Sequence, residues 1–188
     1  IFSDKDVVFE QSKVLGMVWD AKEDFLKYKS KFKSVNEWKN HLKIENWTKR
    51  TILKTTASTY DPLGFLSAIT VQARAVIQKL WLLELEWDQR IPEENEIQWV
   101  GALYNLVNVE NVQIPRWIGI EPDAHTELHV FCDASEIAYS MVAYCRINSV
   151  GGPITGIVSA KARVTPIKNE TISRLELIAC VIGTRLAR

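Results

Sequence analysis

Cysteine is scarce in this chain: Cys132, Cys145 and Cys180 are the three. An odd number without close spacing excludes a dense disulfide framework and a zinc knuckle. All three lie in apolar runs and read as small core residues of a protein in a reducing compartment. Net charge is missing too, with 23 Lys+Arg against 23 Asp+Glu, so the whole-chain field does not mark a nucleic-acid binder. No apolar run is long enough to span a bilayer, and no secretory signal pattern is visible. Internal repeats and low-complexity tracts are lacking. The histidines at 41, 125 and 129 are scattered, and no serine sits in a nucleophile-elbow context, which argues against a Ser-His-Asp hydrolase.

What the chain does have is 47% apolar and 24% charged residues over 188 positions, ordinary for a globular protein of one domain or two small ones. The charge is uneven. Residues 1–60 hold 12 Lys+Arg and 8 Asp+Glu, a local excess of 12 − 8 = +4, while Glu84, Glu86, Asp88, Glu93, Glu94 and Glu96 face Arg90 alone between 84 and 96. These are either two solvated faces or, for the basic part, a surface that tracks phosphates.

Four regions separate by pattern. Residues 1–47 hold Val14-Leu15-Gly16-Met17-Val18-Trp19-Asp20, a turn at 21–24 and Phe25 to Lys29, which together read as a hairpin. Ser34, with Glu37 three residues on, reads as the cap of a short helix to His41. Residues 48–108 read as a small helical bundle. Thr48 is a candidate cap for a helix to about Ser58, and Asp61-Pro62-Leu63-Gly64 is a turn pattern. A helix from Ser67 presents Ile69, Ala73, Val76, Ile77, Leu80 and Trp81 at three- and four-residue steps. A further helix opens at Pro92 with Ile97, Val100, Leu103, Tyr104 and Val107 as its expected buried face. Trp19, Trp81 and Trp99 are expected in the core or an interface rather than stacking on bases. Residues 109–127 are a connector with an extended stretch about Pro115. Residues 128–188 read as three strands (to Asp133, Ala138 to Ile147, Ile154 to Val164) in an antiparallel meander. A helix capped by Thr171 follows. The fold class is therefore α+β.

Two carboxylates stand out. Asp133 ends the apolar run Leu128-His129-Val130-Phe131-Cys132, and Glu176 lies at the edge of the last helix's apolar stripe. Oxygen donors of this kind suit a hard cation such as Mg²⁺. If the helix packs on the sheet, the two are expected to face each other across a gap that one or two cations fill. By residue type alone, Asp133 is equally a turn residue and Glu176 a solvated one. Lys49, Arg50 and Lys54 are spaced to share a helix face, either solvated or touching template–primer phosphates.

Phe131-Cys132-Asp133-Ala134-Ser135, followed by two further strands and Ser173-Arg174-Leu175-Glu176-Leu177, resembles the first half of a ribonuclease H domain. The stretch 14–20 resembles the primer-grip hairpin closing a reverse-transcriptase palm. The stretch from Lys49-Arg50 to Tyr60-Asp61-Pro62-Leu63-Gly64-Phe65-Leu66-Ser67 resembles the thumb and connection of BEL/Pao-type retrotransposon polyproteins. The resemblance implies that Asp133 and Glu176 are catalytic, metal-holding carboxylates and that Lys49, Arg50 and Lys54 touch nucleic acid. It implies an RNA–DNA hybrid or template–primer and the rest of the Pol polyprotein as partners, with no membrane. It also implies Mg²⁺ in the parent enzyme and an intracellular, cytoplasmic setting within the element's virus-like particle. No Tyr-x-Asp-Asp polymerase motif occurs in the chain. The chain begins at Ile1 and stops within the first ribonuclease H helix, so a fragment without the remaining carboxylates, holding no stable metal and inactive alone, is expected. The same region also carries a Pao-type peptidase label; Asp133-Ala134-Ser135 lacks the glycine of a retroviral-type aspartic peptidase loop. A domesticated, non-catalytic interaction module is the third alternative.

Overall fold

The structure is a computed structural model, described for residues 13–14, 17–30, 34–41, 45–121, 123–149, 151–168 and 170–188. β1 (Lys13–Val14), β2 (Met17–Asp20) and β3 (Phe25–Tyr28) form an antiparallel ribbon with Met17 opposite Tyr28; the Leu15-Gly16 step lies outside the described residues. Asp24 closes the turn between β2 and β3 with φ at 55°, a left-handed backbone that aspartate tolerates better than most residues. Its carboxylate accepts from Trp19 Nε1 at 2.9 Å and from Arg116 Nε at 2.6 Å. These bonds, the Arg116 one foremost, hold Asp24 below the usual carboxylate range. The turn is thereby tied to the segment that was read as a plain connector. That segment does more: β4 (Gln113–Pro115) pairs with β3, giving the order β1-β2-β3-β4. Pro115 is tolerated because β4 is an edge strand.

Helix starts follow the capping chemistry of the sequence. Ser34 Oγ accepts from Glu37 N at 3.1 Å at the start of α1 (Val35–His41). Thr48 and Thr51 satisfy each other's backbone N–H groups at the start of α2 (Lys49–Ala57). α3 spans Ser67–Leu82 and α4 spans Glu93–Val107, with Pro92 just outside as the cap rather than in the first turn. Glu93, Glu94 and Glu96 sit where the helix dipole favours negative charge. The core of this bundle is aromatic: Trp47 and Trp99 are fully buried and meet edge to face, with ring centroids 5.5 Å apart.

That pair corrects the expected face of α4. Trp99, Ala102, Leu103, Leu106 and Val107 point inward, whereas Ile97 and Tyr104 are 69% and 63% exposed. Burying the Trp99 ring outweighs burying Ile97 and Tyr104, so the helix is rotated from the expected stripe. Trp81 is likewise 46% exposed rather than buried; it leans on Trp87, with ring centroids 5.2 Å apart.

The second half is a three-stranded antiparallel meander, β5 (Thr126–Ala134), β6 (Ala138–Ser149) and β7 (Gly152–Val164), followed by α5 (Ile172–Leu186). Thr171 Oγ1 caps α5 by accepting from Arg174 N at 3.3 Å. Leu175 and Ala179 of α5 are buried against Tyr139 of β6. The outer edge of β7 is covered by the helical half. Leu63 O accepts from Ala160 N at 2.9 Å and from Ser159 Oγ at 2.8 Å, Arg74 donates to Ala162 O, and Gln78 donates to Thr165 O. Covering that edge removes a row of unpaired backbone groups.

The Tyr60-to-Ser67 block is the junction of all three parts. Asp61 accepts from Tyr28 Oη at 2.6 Å and from Leu66 N at 2.8 Å, so it links β3 to the start of α3. Burial, with Asp61 beside it, pushes the Tyr28 phenol well above the ordinary tyrosine range. Gly64 holds φ at 76° and lies directly on the Ala160 carbonyl.

Candidate functional site

Asp133 is exposed near the end of β5, opposite Ser140 of β6. Its neighbours Cys132 and Ala134 pack toward α5, so strand alternation sends the Asp133 side chain to the other face. Asp133 Oδ1 accepts from Ala134 N at 2.9 Å. β5 is the outermost strand of its sheet, and its far side has no paired strand among the described residues.

Glu176 is placed by the way α5 lies on β5. Glu176, Cys180 and Gly183 fall at steps of four and three and so share one helix stripe. Gly183 rests on Val130 and Cys132, where an added Cβ would come within 3.1 Å and 2.7 Å of side-chain atoms. Burial, and then the Cys180 thiol, push the Cys132 thiol up. Glu176 lies about one helical turn before Cys180 on that stripe.

Leu175 and Ala179 are buried in the layer between helix and sheet, and Asp133 and Glu176 are both exposed. Neither forms an ion pair among the described residues. Their oxygens are the donor type a hard divalent cation takes, but such an ion takes about six. Among the described residues no group of three or more His, Cys, Asp or Glu side chains is placed to hold a metal. Asp133 and Glu176 offer carboxylate oxygens of that donor type.

Beside Asp133 the uncovered face of the sheet meets the start of α3 in a cleft of about 410 Å³, lined in part by Phe65, Ser67, Ser140, Tyr144 and Lys161. Lys161 is the cation in that lining.

The three basic residues do not form one free face. Lys49 is 8% exposed, with Nζ 4.6 Å from the Trp81 ring centroid and 5.7 Å from that of Trp87. Arg50 makes a bidentate bond to Asp88, at 2.7 and 3.0 Å, and the guanidinium holds the Asp88 carboxyl below its usual range. Lys54 is exposed. The reason is geometric: residues one apart on a helix point in different directions. Trp81 and Trp87 close around the first cation, and the acidic loop reaches the second. The Lys49–tryptophan cluster is a feature that sequence reasoning missed; it joins residues far apart in the chain.

Asp61, in the turn before α3, is in structural use. Asp61 is held by Tyr28 and Leu66. Ser135, beside Asp133, shapes the β5–β6 turn by bonding Ile137 N and Ala138.

A family model described as Pao retrotransposon-like RNaseH-like domain matches residues 48–188. No curated protein matches the chain.

Proposed function

The chain belongs to the Pao retrotransposon-like RNaseH-like domain family, and on that premise we propose that it serves a retrotransposon Pol polyprotein by gripping an RNA–DNA hybrid and giving Asp133 and Glu176 as two ligands of a magnesium centre. The observation that supports this reading is the packing of α5 on β5 and β6, with Gly183 against Val130 and Cys132 and Leu175 and Ala179 against Tyr139, while Asp133 and Glu176 are both exposed. In the intact polyprotein this part supports RNA-directed DNA synthesis and hydrolysis of the RNA strand. Magnesium, when bound, supplies activation of water and neutralisation of charge at the scissile phosphate. The chain's own residues do the positioning. Leu175 and Ala179 fix the helix on the sheet, Ala134 N orients the Asp133 carboxylate, and Lys161 lines the adjoining cleft where a phosphate backbone would pass. Hybrids are recognised by shape and backbone rather than by base edges, so exposed cations matter more than a sequence-reading element.

Binding of a labelled RNA–DNA hybrid, followed by fluorescence anisotropy, tests the grip. With about three phosphate contacts, affinity should fall roughly 10- to 50-fold between about 50 and about 200 mM salt. Lys54→Ala with Lys161→Ala should flatten that slope, while Lys49→Ala should instead lower stability because its ammonium is buried among Trp81 and Trp87. Salt-independent binding, or a slope unchanged in the double variant, would remove the hybrid-gripping reading. The 188 residues alone are expected not to cleave the hybrid, since Asp133 and Glu176 make at most part of a two-metal ligand set.

A further inference from the structure

We propose that Arg74, Lys161 and Arg163 form a phosphodiester-binding site at the seam where α3 lies along β7, so that one nucleic-acid backbone is held by both halves of the chain. The ligand's identity rests on the hybrid-gripping reading; the site itself is drawn from the placement of the three cations. Arg74 belongs to α3, in the helical half, and its Nη1 donates to Ala162 O at 3.3 Å. Ala162 is the residue between Lys161 and Arg163 on β7. Those two therefore flank the contact, with Cα atoms about 3.8 Å to either side of that of Ala162. Residues two apart on a strand share a face, so Lys161 and Arg163 project together. All three residues are exposed, and none forms an ion pair among the described residues.

The chemistry of this cluster suits a phosphate oxyanion. A guanidinium carries five N–H donors and keeps its charge at any working pH. The Ala162 carbonyl occupies one donor of Arg74 and leaves its charge unneutralised. The same bond holds the planar group beside the strand before a ligand arrives, so less side-chain freedom is lost on binding. Other arginines of the chain face carboxylates instead: Arg50 faces Asp88, Arg116 faces Asp24, Arg146 faces Glu127 and Arg174 faces Glu170. Glu170 is thereby neutralised near the end of β7. Glu136, whose backbone carbonyl accepts from Thr165 Oγ1 at 2.8 Å, is the other acid there, so the seam stays positive. Gln78 donating to Thr165 O and Ala160 N donating to Leu63 O already join the two halves along this seam. A phosphate bridging Arg74 and Arg163 adds a tie across it, which links binding to the stability of the junction.

The test is the anisotropy of a labelled RNA–DNA hybrid titrated with the full chain across a range of salt. Arg163→Gln should lower the slope of log affinity against log salt by about one, and should weaken binding roughly 5- to 10-fold at about 0.1 M salt. Arg163→Lys keeps the charge and should keep the parent slope. Arg74→Gln should act as Arg163→Gln does, and the two together should remove about two from the slope. Circular dichroism and the urea midpoint of Arg163→Gln should match the parent. Saturating hybrid should slow hydrogen exchange at the Ala160 amide in the parent and leave it unchanged in the double variant. Salt-dependent hybrid binding whose slope is the same in both single variants overturns the seam site and leaves the hybrid-gripping reading standing. Hybrid binding that is absent or independent of salt overturns both. An equal loss of slope in Arg163→Lys and Arg163→Gln also overturns the site, since charge would then not be what binds.

Discussion

Gly64→Ala should destabilise the fold by about 3–5 kcal/mol, the cost of forcing a side chain into a positive-φ position and losing the bonds it guards. At φ 76° the added Cβ overlaps the Ala160 carbonyl, which is backbone and has no side-chain freedom to retreat. Relief requires the 60–64 segment to leave β7, and that breaks the bonds from Ala160 N and Ser159 Oγ to Leu63 O. The helical half and the sheet would then separate at their main junction. Urea unfolding gives the size of the effect, and hydrogen exchange at the Ala160 amide gives its location. Gly101→Ala is the control: an added Cβ there meets nothing within 4 Å. It should stabilise α4 by about 0.5–1 kcal/mol through helix propensity. A Gly64→Ala protein as stable as the parent would mean that the junction is not formed as described.

Trp99→Ala should cost about 3–5 kcal/mol, as large-to-small changes of buried aromatics do. Trp99 is fully buried in the bundle and forms the edge-to-face pair with Trp47, so removing it opens a cavity that neither α1 nor α2 is long enough to fill. Trp99→Phe should cost markedly less, because it keeps most of the ring. It also removes an indole N–H that lacks a partner among the described residues, and an unpaired buried donor is itself unfavourable by about 1–3 kcal/mol. Denaturant midpoints of the two variants check the order. Equal losses for Ala and Phe would contradict a cost set by the cavity.

Much of the fold was legible because its signals are local. Ser34, Thr48 and Thr171 cap the helices they were expected to cap, for their side-chain oxygens reach N–H groups three residues away. The meander was legible because short turns favour antiparallel neighbours. What failed is non-local. α4 carries apolar residues nearly all round, so periodicity left its orientation open until Trp47 met Trp99. The extended stretch about Pro115 was expected, but its pairing with β3 as β4 joins residues far apart in the chain. The basic trio was misjudged because sequence spacing does not reveal that Trp81 and Trp87 fold over Lys49. The candidate carboxylates stood out by residue type and position, the family resemblance supplied their implied roles, and the exposed side of the strand on which Asp133 falls follows from the alternation at Cys132, Asp133 and Ala134.

On the proposed function, Asp133 and Glu176 share one divalent cation beside β5. Paramagnetic broadening by Mn²⁺, followed on backbone amides of the labelled full chain, tests it most directly. Amides next to Asp133 and next to Glu176 should broaden together along one saturation curve, Mg²⁺ should reverse the effect, and either Asp133→Asn or Glu176→Gln should abolish it at both places. Broadening at the two carboxylates with separate affinities, or broadening near Glu176 that survives Asp133→Asn, would contradict a shared ion.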